Sequence, residues 1–440
     1  MSTDPAPNPN DVRMQMRIIR MLSAATLLVA VALAGAGAQS TTQQSSKKVQ
    51  ADTGTRIEVY GFAMADAIGD FRTNDPNWFD TNRPSKLPAF QDEFGHNGHT
   101  WFSARQTQFG AKATIPTGTK DIKVVFDWDL FGVGVDAGQT TIRPRHMYGQ
   151  WGAFGGGQLE SPFMDLNVFP NILEYWGPNG MLFYRNVQVF WQPINKENGT
   201  QALIALERPG ASGDAGLVAD RIELQNIAPR FPAPDISAAY RLGTKWGYAR
   251  LSAIVRWIRW DDLLPNDAFD LNGGVTGWGV ALSGAVNAGK NDVLHLQIVE
   301  GAGVENYFND APVDVGVKRN VGNTVTPVTG QALNDLGLTA YLDHKWTKQL
   351  STALGYSRVN IDNSDLQTLQ AFHTGQYASV NLLWSPLPSF LTGGEFQWAH
   401  RTNNGNGFTA SDYRLQFSVK YSYSQKFGGG AGHEPTRAQD

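Results

Sequence analysis

The sequence contains no cysteine. Disulfide staples, thiol nucleophiles and thiolate metal ligands are therefore all excluded. Charge is also sparse: Asp, Glu, Lys and Arg make up 17% of the 440 residues, with a formal net charge of −4. Bulk charge gives no sign of nucleic-acid binding. The apolar run from Leu22 to Gly35 falls short of the ~20 residues a spanning helix needs, and nothing after it comes closer. Convincing helical periodicity of any length is missing. So are G-x-S-x-G, a Walker loop and a G-x-G-x-x-G leading into a helix. No cofactor is expected. "HNGH" (His96, His99) has neither a cysteine nor an HExxH pattern beside it, and "NIDNSD" lacks the closing acid of an EF-hand. Neither reads as a metal site.

What is present begins with a targeting segment. Arg13, Arg17 and Arg20 precede the apolar run, and Ala36 and Ala38 occupy the small positions of an A-x-A site. Residues 1–38 are expected to be a signal peptide, although Met14 or Met16 could be the true start. Residues 39–55 form a polar lead-in, 56–427 the folded body and 428–440 a flexible tail. An exported chain with no apolar helix can span a membrane only by β-strands.

From Arg56 onward, apolar and polar residues alternate between Gly, Pro, Asn and Asp clusters. The pattern predicts strands at 56–68, 101–114, 121–131, 142–153, 155–163, 181–192, 201–207, 235–242, 246–260, 275–286, 292–301, 337–346, 349–359, 376–384, 390–401 and 413–427. In the last of these, Tyr413, Leu415, Phe417, Val419, Tyr421 and Tyr423 share one face, and Arg414, Gln416, Ser418 and Lys420 share the other. Short joints alternate with long polar stretches at 69–100, 208–234, 302–336 and 402–412. Trp151, Trp191, Trp260, Trp346, Trp384 and Tyr423 fall at segment ends. Short turns, long loops and aromatic ends together predict an all-β fold: a transmembrane antiparallel β-barrel of about sixteen strands in the bacterial outer membrane. Soluble sandwich strands of 5–6 residues would be shorter than most of these. Outer-membrane lipid and lipopolysaccharide are the expected surroundings.

Sixteen strands enclose an aqueous lumen. Parity places Arg250 and Arg256 on one face, and Arg143 and Arg145 on one face; Arg105 and Arg185 are further candidates. These arginines either guide small anionic solutes or pair with lumen carboxylates such as Asp127, Asp129 and Glu395. The stretch Glu160–Met181 breaks the alternation and carries Asp165, Glu174 and Trp176. It is either an inward-folded constriction segment or a rim loop packed on a neighbouring subunit. The alternatives to a channel are a barrel enzyme of phospholipase or protease type and a plugged adhesin. The enzyme would need a nucleophile and base at one rim, and no Ser/His pairing is visible.

Several stretches resemble the DcaP-like outer-membrane porins of Gram-negative bacteria. They are "VYGFAMADAIGDF", "ARQTQFGAKATIPTG", "FDWDLFG", "RPRHMYGQWG", "FMDLNVFPNILEYWGPNGM", "TGWGVALSG" and "LLWSPLP". The run from Phe163 to Met181 is the most specific. The resemblance covers about residues 56–427. It implies a homotrimeric sixteen-stranded porin with a basic lumen that takes up small anions such as dicarboxylic acids. The matching positions are Arg105, Arg143, Arg145 and Arg185 together with the segment Phe163–Met181. A periplasmic coiled coil, found in some of these porins, is not expected, because residues 39–55 lack heptads.

Overall fold

The computed structural model describes residues 54–211, 218–264 and 268–428. The expected signal peptide, the lead-in up to residue 53 and the tail from residue 429 lie outside the described residues. The strands follow the alternation closely. The first are β1 (Arg56–Asp70), β2 (His99–Ser103), β3 (Gln108–Ile115), β4 (Ile122–Phe131), β5 (Thr140–Trp151), β6 (Phe154–Glu160) and β7 (Arg185–Asn195). Then come β8 (Gln201–Glu207), β9 (Ile227–Arg230), β10 (Asp235–Thr244), β11 (Gly247–Asp262), β12 (Gly273–Asn287) and β13 (Asp292–Ala302). The remainder are β14 (Val315–Arg319), β15 (Val328–Ala332), β16 (Asn334–Lys345), β17 (Leu350–Asp362), β18 (Phe372–Leu387), β19 (Phe390–Asn403) and β20 (Thr409–Gly428).

Neighbouring strands pair antiparallel, and β1 closes the sheet on β20 from Arg56 opposite Gly428 to Asp70 opposite Arg414. Both β2 and β3 pair with β1, so they are two segments of one wall strand. β9 only extends the end of β11, and β14 and β15 form a separate hairpin. The wall is therefore a closed barrel of sixteen strands, and each expected segment overlaps one of them. Closure pairs every backbone group that lipid would otherwise leave bare. No α-helix occurs among the described residues.

The faces are inverted relative to a soluble protein. On β20 the apolar residues Tyr413, Leu415, Phe417 and Val419 are exposed, while Asp412, Arg414, Gln416 and Ser418 are buried. The outward row meets lipid, where each large side chain contributes about 1.5–3 kcal/mol on leaving water. Trp151, Trp346, Trp384 and Tyr423 lie exposed near the short-turn end, as an interfacial girdle requires. Trp260 departs from that expectation. It points inward and is buried with Ile222, Leu224, Ile258 and Val315, because loop residues 222–224 and strand β14 cover it.

Seven short connections share one end with both barrel termini, and longer loops crowd the other. One expected long loop is short: β19 and β20 extend until only residues 404–408, "NGNGF", separate them. The stretches 71–98, 161–184 and 303–333 fold inward. Phe163, Met164, Leu182, Tyr184, Val304, Tyr307 and Phe308 from two of them join the inward-facing Ile254, Val299 and Val359 in an apolar core inside the barrel. The lumen is thus partly filled. Two glycines permit this close approach: a methyl group on Gly337 would strike the carbonyl of Gly180, and one on Gly180 would strike the carbonyl of Arg358.

Candidate functional site

The inward segment 161–184 is held by side chains that the period-2 pattern points into the barrel. Near its start, the Asp165 carboxylate accepts from the Asn167 amide (3.1 Å), the Tyr248 hydroxyl (3.0 Å) and the Ser283 hydroxyl (2.5 Å). Ser252 donates to the Phe163 carbonyl at 2.9 Å. Further along, Glu395 of β19 accepts the amides of Leu173 (2.8 Å) and Glu174 (3.1 Å). Gln106 and Gln416 donate to the Leu173 carbonyl. The Glu174 carboxylate takes the amides of Asn82 and Gly177. Burial pushes its pKa up to about 7 despite those donors. Trp176 donates to the Asn309 carbonyl and meets Trp78 edge to face at 4.9 Å, and the Arg83 guanidinium lies 4.2 Å from the centroid of each ring. Wall and loops together fix the segment, so it lies inside the barrel rather than on the rim.

These anchors place Tyr175 against the opposite wall. Its ring stacks on Phe131 at 4.1 Å, and its hydroxyl donates to Asp129 at 2.6 Å. Arg143 and Arg145 both donate to Asp129 and to the Tyr175 hydroxyl. A bulge in β5 makes this possible. Trp128 pairs with Pro144 and Asp127 with His146, which leaves Arg145 as the extra residue. His146 turns inward as well, and shares hydrogen bonds with Asp127 (2.9 Å) and Glu160 (2.5 Å).

Two more cations complete the cluster. Arg185 begins β7 and lies over the Phe183 ring at 5.1 Å, close enough to Arg143, Arg145 and Asp129 to interact electrostatically. Its Nη1 is buried without a hydrogen-bond partner. Lys420 lies over the Phe62 ring at 3.9 Å, within electrostatic reach of Arg145. The exposures are lopsided. The side chains of Arg143 and Arg145 retain 17% and 16% of their surface, while Asp129 retains none. The positive groups reach the lumen, and their shared carboxylate does not.

Arg143, Arg145 and Arg185 are therefore brought together, whereas Arg250 lies on another wall, beside Asp165 and the Pro162 carbonyl. Arg105 and Arg256 do not line water, contrary to expectation. Arg105 is 1% exposed because Asp80 and the carbonyls of Gly132 and Gln139 enclose its guanidinium. Arg256, also 1% exposed, is held by Asp235 and Asp314. Asp165, Glu174 and Trp176 serve as anchors of the segment. Of the lumen carboxylates, Asp129 pairs with arginine, Asp127 with His146, and Glu395 with the segment's backbone. The sequence reading placed Lys420 on the polar face of the last strand without naming it as a site residue, and it missed Tyr175 and Arg241. Parity with Ser237 could have found Arg241. No pattern marks Tyr175 within an irregular stretch.

A family profile described as DcaP outer membrane protein matches residues 6–236, more than half of the chain. Among solved structures, the outer membrane channel DcaP of Acinetobacter baumannii is 19% identical with a TM-score of 0.69, covering 83% of this chain and 97% of that one. The anion-selective porin from Comamonas acidovorans is 9% identical with a TM-score of 0.54, covering 84% and 100%. OmpF of Salmonella typhi, solved with daunomycin, is 12% identical with a TM-score of 0.51, covering 83% and 97%. No curated protein matches the sequence. The structural likenesses carry the fold, and the profile match carries the family. With its closed sixteen-stranded wall and inward segment, the chain is a porin of the bacterial outer membrane and belongs to the DcaP outer membrane protein family.

Proposed function

We propose that this porin is a passive, anion-preferring channel for small dicarboxylates, narrowed where Tyr175 meets the arginine wall. The carrying observation is the exposure asymmetry: Arg143 and Arg145 reach the lumen around a fully buried Asp129, with Arg185 and Lys420 beside them. Charges in a narrow lumen with low-dielectric walls focus potential, so this local excess outweighs the slightly negative total. Arginine adds a planar fork that holds a carboxylate by two bonds. The porin of similar fold from Comamonas acidovorans is anion-selective, in keeping with this reading. Transport requires no covalent step, so the barrel acts as a channel rather than an enzyme. A homotrimer in lipid and lipopolysaccharide is part of the same proposal and rests on the family.

One observation favours a second reading, a plugged barrel: the apolar core of inward segments occupies part of the lumen. Planar-bilayer recording separates the two. Steady trimeric steps with a reversal potential on the chloride side of a KCl gradient support the anion channel. Absent conductance supports the plug, and a potassium-side potential refutes the selectivity. Cross-linking that stops at monomer would overturn the trimer.

A further inference from the structure

A second pair of arginines lies away from the Tyr175 cluster. Arg241 of β10 and Arg250 of β11 are direct cross-strand partners. Both share the inward parity of the buried Ser237 and Ser252, while Leu242 and Leu251 face outward. Like charges set directly opposite on a ladder repel. The structure supplies this pair with little counter-charge. Asp165 lies 3.5 Å from Arg250 Nη1, but its oxygens already accept from Asn167, Tyr248 and Ser283. Arg250 Nη2 donates to the Pro162 carbonyl at 2.6 Å, and its buried Nε has no partner. Among the described residues, Arg241 makes no side-chain hydrogen bond or ion pair; its Nε is buried and unpartnered, and its guanidinium lies 3.7 Å from the centroid of the Tyr248 ring.

Position separates this pair from the first cluster. Arg143 and Arg185 lie at the long-loop ends of β5 and β7. Arg241 lies close to the short turn at Lys245–Trp246. The same inward segment touches both places, with Pro162 and Asp165 at Arg250 and Tyr175 at Arg143.

We propose that Arg241 and Arg250, with Arg241 oriented by the Tyr248 ring, form a second anion station on the periplasmic side of the constriction, receiving a carboxylate that leaves the first. This rests on the anion-preferring reading above. A stacked guanidinium is pre-organised for a carboxylate fork. Two moderate stations in series let a solute enter and still leave, as conduction requires.

The test uses succinate, added to one chamber at a time, and counts its brief current blocks in planar bilayers. The chain has no cysteine, so Lys348→Cys in an exposed turn gives one thiol whose labelling reports the orientation of each channel. Arg241→Gln should lower the block rate from the short-turn side about 3-fold at 0.1 M salt, the weight of one screened charge, and leave the other side nearly unchanged. Calorimetry in detergent, on protein that keeps its heat-modifiable gel shift, should find two succinates per protomer in the parent and one in the variant. Unchanged block rates and stoichiometry in a pore that still prefers chloride would overturn the second station alone. A parent pore that prefers potassium would overturn the reading beneath it as well.

Discussion

Replacing Arg143 and Arg145 with alanine tests the selectivity mechanism most directly. Both guanidiniums touch Asp129 and the Tyr175 hydroxyl and retain exposed surface toward the lumen. An anion passing at about 4 Å gains about 1 kcal/mol from each in water. Screening with a Debye length of ~10 Å at 0.1 M leaves about 0.7 kcal/mol each, and ~3 Å at 1 M leaves about 0.3. Losing both should lower the local weight of chloride about tenfold at 0.1 M and only about two- to threefold at 1 M. The double variant also strips a fully buried carboxylate of its ion pairs, and such a charge can cost about 3–5 kcal/mol. Asp129→Asn is therefore the background in which to make it. Alone, that change removes the shared carboxylate and should raise anion preference. Reversal potentials in KCl gradients at both salts read the outcome. No shift on adding the arginine changes at 0.1 M, or an equal shift at 1 M, would refute the argument and leave the cluster a structural clasp.

Three further outcomes follow from the anchors. Tyr175→Phe removes one donor to Asp129 and one acceptor for both arginines; it should cost about 0.5–1.5 kcal/mol in unfolding midpoint analysis and make the open-channel current noisier, without reversing selectivity. Glu174 has a folded pKa near 7, above its ordinary value. Its protonated form is favoured in the fold, so its stabilising contribution is full below about pH 4.5 and is lost as pH rises through about 7. Current noise should grow across that window, and Glu174→Gln should flatten the profile; an unchanged profile would assign the pH response elsewhere. Arg83→Ala leaves Asp310 buried with, among the described residues, only the Ser85 amide and hydroxyl as donors, which should cost about 3–5 kcal/mol and lower the temperature of the heat-modifiable gel transition; an unshifted transition would show that the Arg83–Asp310 pair bears no weight.

The wall was legible because its constraint is local. Lipid on one side and polar lumen on the other impose the same period on every strand, whichever strands are its neighbours. Tyr413 to Tyr423 could therefore be read without knowing that Arg414 meets Asp70, 344 residues away. The site was legible only in part, because parity says which side of the wall a residue faces and not what covers it. Arg105 and Arg256 face inward as read, but Asp80 from the loop 71–98 and Asp314 from the loop 303–333 fold over them. Arg143 and Arg145 face inward too, and the bulge at Arg145 adds His146, a turn that alternation alone does not signal.

Two of the most deeply covered arginines are over-matched by carboxylate. Arg256 has Asp235 and Asp314, and Arg414 has Asp70 and Asp412, two carboxylates for one guanidinium in each case. Such clusters are neutral or negative and can be buried whole. Arg143 and Arg145 share a single Asp129, and among the described residues Arg185 has no ion pair of its own. Burying that excess would carry an uncompensated charge out of water at a cost of several kcal/mol. Arg143 and Arg145, with one carboxylate between them, instead keep part of their surface in the lumen, where a passing anion can supply the missing charge.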